Sequence, residues 1–131
     1  MQRTISILSV FTVLLSNAEA FVQQPKFGTR QFTYNLKMAG PEIEVISQPS
    51  KDFLEKKGVF NWGTWGCGVS TFPWSYDSAE SCYLLEGKVT VTPTDDRKAA
   101  TFGKGDFVTF PAGMSCEWAV TETVKKHFMF F

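Results

Sequence analysis

The sequence predicts an all-β domain, a small barrel or sandwich, on three observations. From residue 40 onward, short segments rich in β-branched and aromatic residues recur at even spacing between clusters of Gly, Pro and Asp. The same region shows no long 3.6-residue apolar period and no internal repeat. Fifteen of the aromatic residues fall in residues 40–131. A domain of this size buries a modest share of its surface, and rings that each bury about 150–250 Å² compensate for that.

The elements follow in order. Glu42–Ser47 alternates through Ile43 and Val45 and predicts a strand. Ser50 is placed to cap a short helix over Lys51–Lys57, which Gly58 ends. Trp62–Val69, aromatic and glycine-studded, predicts an edge strand with bulges. Glu80–Leu85 and Lys88–Thr92 flank Glu86-Gly87 and predict a hairpin. Pro93–Lys98 is a polar turn, Ala99–Phe102 a short strand, and Gly103–Asp106 a turn into the strand Phe107–Phe110. Pro111-Ala112-Gly113 breaks that strand, and two further strands, Ser115–Val120 and Val124–Phe131, complete the set.

Residues 1–39 are expected to be an address and not part of the fold. Arg3 precedes an apolar run from Ile5 to Leu15, too short for a bilayer, and Ala18-Glu19-Ala20 supplies small residues for cleavage, so 1–20 is predicted to be a signal peptide. Residues 21–39 are basic, hydroxylated and free of acid, which predicts a transit-peptide-like segment. The two together resemble the bipartite presequence of proteins sent to the secondary plastids of diatoms and related algae; an ordinary secreted or ER protein is the alternative. The domain is then 40–131, with 9 basic against 12 acidic residues. Without a basic stripe it is not expected to bind nucleic acid, and no membrane contact is expected of the mature form. Cys67, Cys82 and Cys116 are odd in number and lack CxxC spacing, which argues against a zinc knuckle or a complete intrachain pairing.

The chemistry-bearing pattern is Gly68-x5-Trp74-x-Tyr76-x3-Glu80-x6-Gly87, followed by Gly105-x5-Pro111-x-Gly113-x2-Cys116. It resembles the cupin family, whose motifs run G-x5-H-x-H-x3–4-E-x6-G and G-x5-P-x-G-x2-H-x3-N. Each glycine, the proline and the glutamate match; Trp74, Tyr76 and Cys116 stand at the three histidine positions and Val120 at the asparagine. The flanking stretches TFPWSYDSAESCYLLEGKVTV and GKGDFVTFPAGMSCEWAV resemble the small-cupin family named for its (S)-ureidoglycine aminohydrolase members, which also includes ethanolamine-utilisation-type domains. The resemblance covers roughly residues 42–131. It implies a small cupin-type β-barrel, a double-stranded β-helix or jelly roll, and a possible homodimer.

Strand alternation within that fold implies a ligand pocket walled by Trp74, Tyr76, Glu80, Cys82, Cys116 and Trp118. With the imidazoles gone, these side chains make a poor divalent-metal set, so no metal or other cofactor is expected. Glu80, buried among rings with no cation beside it, would be desolvated, which favours the protonated carboxyl; it is the candidate general acid or base. The plainer alternative has Glu80 accepting hydrogen bonds from Tyr76 and a tryptophan. Cys116 is a weaker catalytic candidate, since His127 has no positional link to it and is expected at the rim. Trp62, Trp65, Phe107 and Phe110 are expected in the core or an interface. Three functions remain open: a metal-free module binding a small cationic or amide-bearing ligand, an enzyme acting on a small nitrogenous substrate through Glu80, or an interaction protein with an aromatic patch around Trp62 and Trp65.

Overall fold

The computed structural model describes residues 40–131. The signal-peptide and transit-segment expectations, at 1–20 and 21–39, lie outside the described residues. Seven strands form the domain: β1 (Glu44–Ile46), β2 (Gly63–Cys67), β3 (Ser70–Ser75), β4 (Glu80–Pro93), β5 (Ala100–Gly103), β6 (Phe107–Phe110) and β7 (Ser115–Phe130). One short helix, α1 (Lys51–Lys56), follows β1; Ser50 Oγ accepts from the Phe53 amide at its N-cap, as its sequence position predicts.

The strands are antiparallel and pair in the order β1-β6-β4-β7-β2, with β5 added to β4 and β3 to β7. The register divides this ribbon into two faces. The first half of β4 pairs with β6 and with the second half of β7, which carries β2. The second half of β4 pairs with β5 and with the first half of β7, which carries β3. Phe110 on the first face and Trp118 and Phe102 on the second bring their rings within 5.7 and 5.8 Å across the interior. This is an all-β jelly-roll barrel. The outer side of the first face is covered by α1, where Phe53 meets Phe107 edge-on at 5.2 Å and Leu54 and Val59 complete a second small core.

Two expectations are corrected. Glu80–Leu85 and Lys88–Thr92 are not the arms of a hairpin; they are one 14-residue strand. Ser115–Val120 and Val124–Phe131 are likewise one strand of 16 residues. The long strands pair with each other almost end to end, and that pairing outweighs the local turn signal of Glu86-Gly87. What the Glu86-Gly87 dipeptide makes is an irregularity: the register shifts between Leu84 and Glu86, again before Lys88 and again before Val89. The inward positions of β4 change there from even numbers (Glu80, Cys82, Leu84) to odd ones (Val89, Val91, Pro93). A strand that bends and changes phase at one point can serve both faces of the barrel.

Gly87 makes this bend possible. Its φ is +96°, and a Cβ there would stand 2.4 Å from Thr123 O and 2.8 Å from Glu122 O, both β7 backbone atoms that cannot rotate away. Gly87→Ala should therefore destabilise the domain by at least ~1–3 kcal/mol, the usual cost of one strained backbone site. Urea titration of the variant checks this; a midpoint unchanged from wild type contradicts the close approach.

Candidate functional site

The two faces leave a cavity of about 220 Å³ lined from β2, β3, β4 and β7. Trp65 of β2 and Phe72 and Trp74 of β3 form one wall. Trp118 and Phe128 and Phe130 of β7 form the other, and Glu80 of β4 with Lys126 of β7 supply the polar groups. The rings are ordered against each other: Phe72 stacks on Trp118 at 6.1 Å and 16°, and Trp65 meets Trp118 edge-on at 6.0 Å.

Glu80 begins β4 and lies between Phe110 of β6 and Phe130 of β7 in the register. It is 3% exposed, as expected for an inward position. The expectation of a cation-free carboxylate is corrected. Lys126, 5% exposed, donates from Nζ to Glu80 Oε1 in a buried ion pair. The ammonium also sits over four ring faces, with centroids at 4.9 Å (Trp118), 5.3 Å (Trp65), 5.8 Å (Phe128) and 6.0 Å (Phe110). The second oxygen of Glu80 has a separate role. Among the described residues Oε2 has no hydrogen-bond partner, yet no sealed side-chain oxygen or nitrogen lacks one. Oε2 is therefore the carboxylate atom open to the cavity.

Trp74, Glu80 and Trp118 are the sequence-predicted residues that line the cavity; Trp74 is 48% exposed at its mouth. Tyr76, Cys82 and Cys116 are not on the wall. Tyr76 falls just past the end of β3, where it exchanges backbone hydrogen bonds with the Gly113 amide and the Met114 carbonyl. Its ring then stacks on Phe110 at 4.7 Å. Its hydroxyl accepts from Trp118 Nε1 at 3.1 Å, which occupies that indole N–H, and the hydrogen bond Glu80 accepts comes from Lys126 instead. Cys82 and Cys116 are fully buried and do not line the cavity. Trp65, expected in the core or an interface, is a cavity wall, whereas Trp62 packs tilted on Phe107 at 6.1 Å beside α1. His127 is partly buried, its Nδ1 3.3 Å from Trp62 O, and no contact links it to Cys116 among the described residues.

Two of the three thiols, Cys82 and Cys116, are buried and held protonated. Burial pushes Cys82 up to about 12, against a partial lowering by Lys126, and pushes Cys116 up to about 11. The folded protein holds these protons more tightly than the unfolded chain, whose reference value is 9.0. The stability they contribute is complete below pH 9.0 and falls as the pH rises toward about 12. At pH 8 a thiol reagent should modify Cys67, which is partly exposed, and reach Cys82 and Cys116 only after denaturation. Rapid native labelling of Cys116 would restore it as a candidate nucleophile.

The metal that the cupin pattern implies does not fit these residues. The Trp74 indole offers no lone pair, and burial followed by the Glu80 charge holds the Tyr76 phenol far above its ordinary range. Cys116 keeps its proton, and Glu80 faces an ammonium. Among the described residues no three His, Cys, Asp or Glu side chains converge.

The model of the EutQ-like cupin domain family matches residues 54–128. Among solved structures, a DUF861 family protein from Thermotoga maritima is 44% identical, with 69% of this chain and 100% of that chain covered and a TM-score of 0.65. The EutQ protein of Clostridium difficile is 15% identical over 68% of this chain and 67% of that one, with a TM-score of 0.47. A putative ethanolamine utilization protein Q from Salmonella typhimurium is 18% identical over 68% of each chain, also with a TM-score of 0.47. No curated protein matches the chain. With a family pattern spanning more than half of the sequence and a relative aligned over its whole length, the chain belongs to the EutQ-like cupin domain family.

Proposed function

We propose that this cupin domain binds a small uncharged molecule, without a metal, in the ring-lined cavity above Glu80 and Lys126. The observation that carries the reading is the buried ion pair with Glu80 Oε2 left open to the cavity. Buried ion pairs add little net stability over apolar residues of the same volume, so one retained at a cavity floor marks a site. Its formal charge sums to zero, and the remaining lining is aromatic. A charged ligand would enter without a counter-charge, which disfavours the cationic ligand and favours the amide-bearing one. An N–H or O–H donor on the ligand meets Oε2 while its body lies against Trp74 and Trp118. The volume favours a body of about one ring: it exceeds the ~150 Å³ that accepts benzene and falls short of the ~300 Å³ at which drug-sized sites begin.

A thermal-shift series tests the proposal. Benzamide and phenylurea should raise the melting temperature, benzamidine and benzoate should do so far less, and Glu80→Gln should lose the uncharged-ligand shift. No shift with any of the four compounds sinks the reading.

A second reading is an enzyme acting on a small nitrogenous substrate, as in (S)-ureidoglycine aminohydrolase-type cupins, with Glu80 as acid or base. The open Oε2 favours it, because a proton-transferring oxygen must reach the substrate. Turnover of a ureide that vanishes in a folded Glu80→Gln variant would support this enzyme reading over simple binding.

A further inference from the structure

We infer that Lys126 is an amine nucleophile that forms a reversible Schiff base with small uncharged aldehydes entering the ring-lined cavity, with Glu80 carrying the proton. The inference rests on the cavity being a binding site for small uncharged molecules.

Three observations carry it. Among the described residues Lys126 is the one amine on the cavity wall, and its ammonium has a single hydrogen-bond partner, Glu80 Oε1. Its other surroundings are ring faces at 4.9–6.0 Å, a setting with little water to solvate separated charge. The ion pair and the rings hold the ammonium at rest, but proton transfer to the contacting carboxylate removes two charges from a dry site and frees the amine lone pair when an aldehyde enters. The rival nucleophiles, Cys82 and Cys116, are buried and are not among the residues that line the cavity.

The step balances without any further reactant. Glu80 takes a proton from the Lys126 ammonium, leaving a neutral amine and a neutral acid. The amine lone pair forms the N–C bond to the aldehyde carbon, the carbonyl π pair moves to oxygen, and Glu80 returns its proton to that oxygen. Glu80 then removes a proton from the nitrogen and delivers it to the departing hydroxyl. The C–O bond breaks and water leaves. The net change is Lys-NH₃⁺ plus R-CHO giving Lys-NH⁺=CHR plus H₂O. Positive charge is conserved on the nitrogen, so the iminium keeps both the ion pair with Glu80 and the ring faces that held the ammonium. An uncharged aldehyde leaves the site's charge balance at zero, whereas a keto acid would add an unpaired anion.

The adjacent residues supply an internal comparison, because Lys125 is exposed and Lys126 is buried on the same strand. The purified protein is treated with limiting benzaldehyde and sodium cyanoborohydride, digested, and mapped by mass spectrometry. Lys126 should take up the benzyl group roughly tenfold faster than Lys125. Benzamide, which has the same ring and no aldehyde, should slow Lys126 and leave Lys125 unchanged. Glu80→Gln should slow Lys126 by roughly tenfold with Lys125 again unchanged. Lys126 labelled no faster than Lys125, while benzamide still raises the melting temperature, overturns the Schiff base and leaves the binding site standing. Loss of both effects overturns the two readings together. The wild-type ratio decides the matter even where the variant does not fold.

Discussion

Lys126→Met should destabilise the domain by about 3–5 kcal/mol, the range seen when one partner of a buried ion pair is removed. Small domains have roughly 5–15 kcal/mol in total, so this is a large share. The loss comes less from the missing attraction than from what remains: the Glu80 carboxylate, 3% exposed, would keep its charge with no counter-ion. The double variant Glu80→Met with Lys126→Met removes both charges and should recover most of the loss, since apolar replacement of a whole pair is often neutral or better. Urea unfolding of the three proteins measures the coupling. A Lys126→Met variant within ~1 kcal/mol of wild type would mean that bulk water reaches the Glu80 carboxylate.

Phe110→Ala should cost a similar ~3–5 kcal/mol, for a different reason. Phe110 is fully buried and packs on Tyr76, Trp118 and Phe102 at 4.7, 5.7 and 5.8 Å. It is also one of the four rings around the ammonium and the β6 partner of Glu80. No neighbour can move in to fill its volume without breaking the stack that joins the two faces. At roughly 4–8 °C per kcal/mol for a domain of this size, calorimetry should show the melting temperature falling by well over 10 °C. A smaller fall would show that the two faces close over the gap.

The fold was legible in the sequence because its punctuation is chemical. Gly105 and Gly113 both adopt positive φ, and Pro111 ends β6 where the motif placed it. The site was legible only in part. Trp74, Glu80 and Trp118 follow from alternation, but Tyr76 does not, because β3 ends one residue before it. Lys126 was missed because its partner lies 46 residues away and because Lys125-Lys126 resembles a solvated pair. A usable signal existed. Cys116, Trp118, Val120, Val124 and Lys126 are all even-numbered and all buried, so β7 keeps one phase throughout. Reading Ser115–Val120 and Val124–Phe131 as a single strand would have turned Lys126 inward and Lys125 outward. The polar residues Thr121–Thr123 interrupt the apolar pattern and conceal that continuity.

The placement of β7 also governs when the domain can assemble. Residues 115–130, the last strand of the fold to be synthesised, are hydrogen-bonded to β2, β3 and β4. Until they emerge from the ribosome, the second and third strands have no neighbour to pair with, and the fourth has only its shorter flanks. Most of the strand pairing is long-range and waits for β7, so the nascent domain stays open until these residues emerge and then closes slowly.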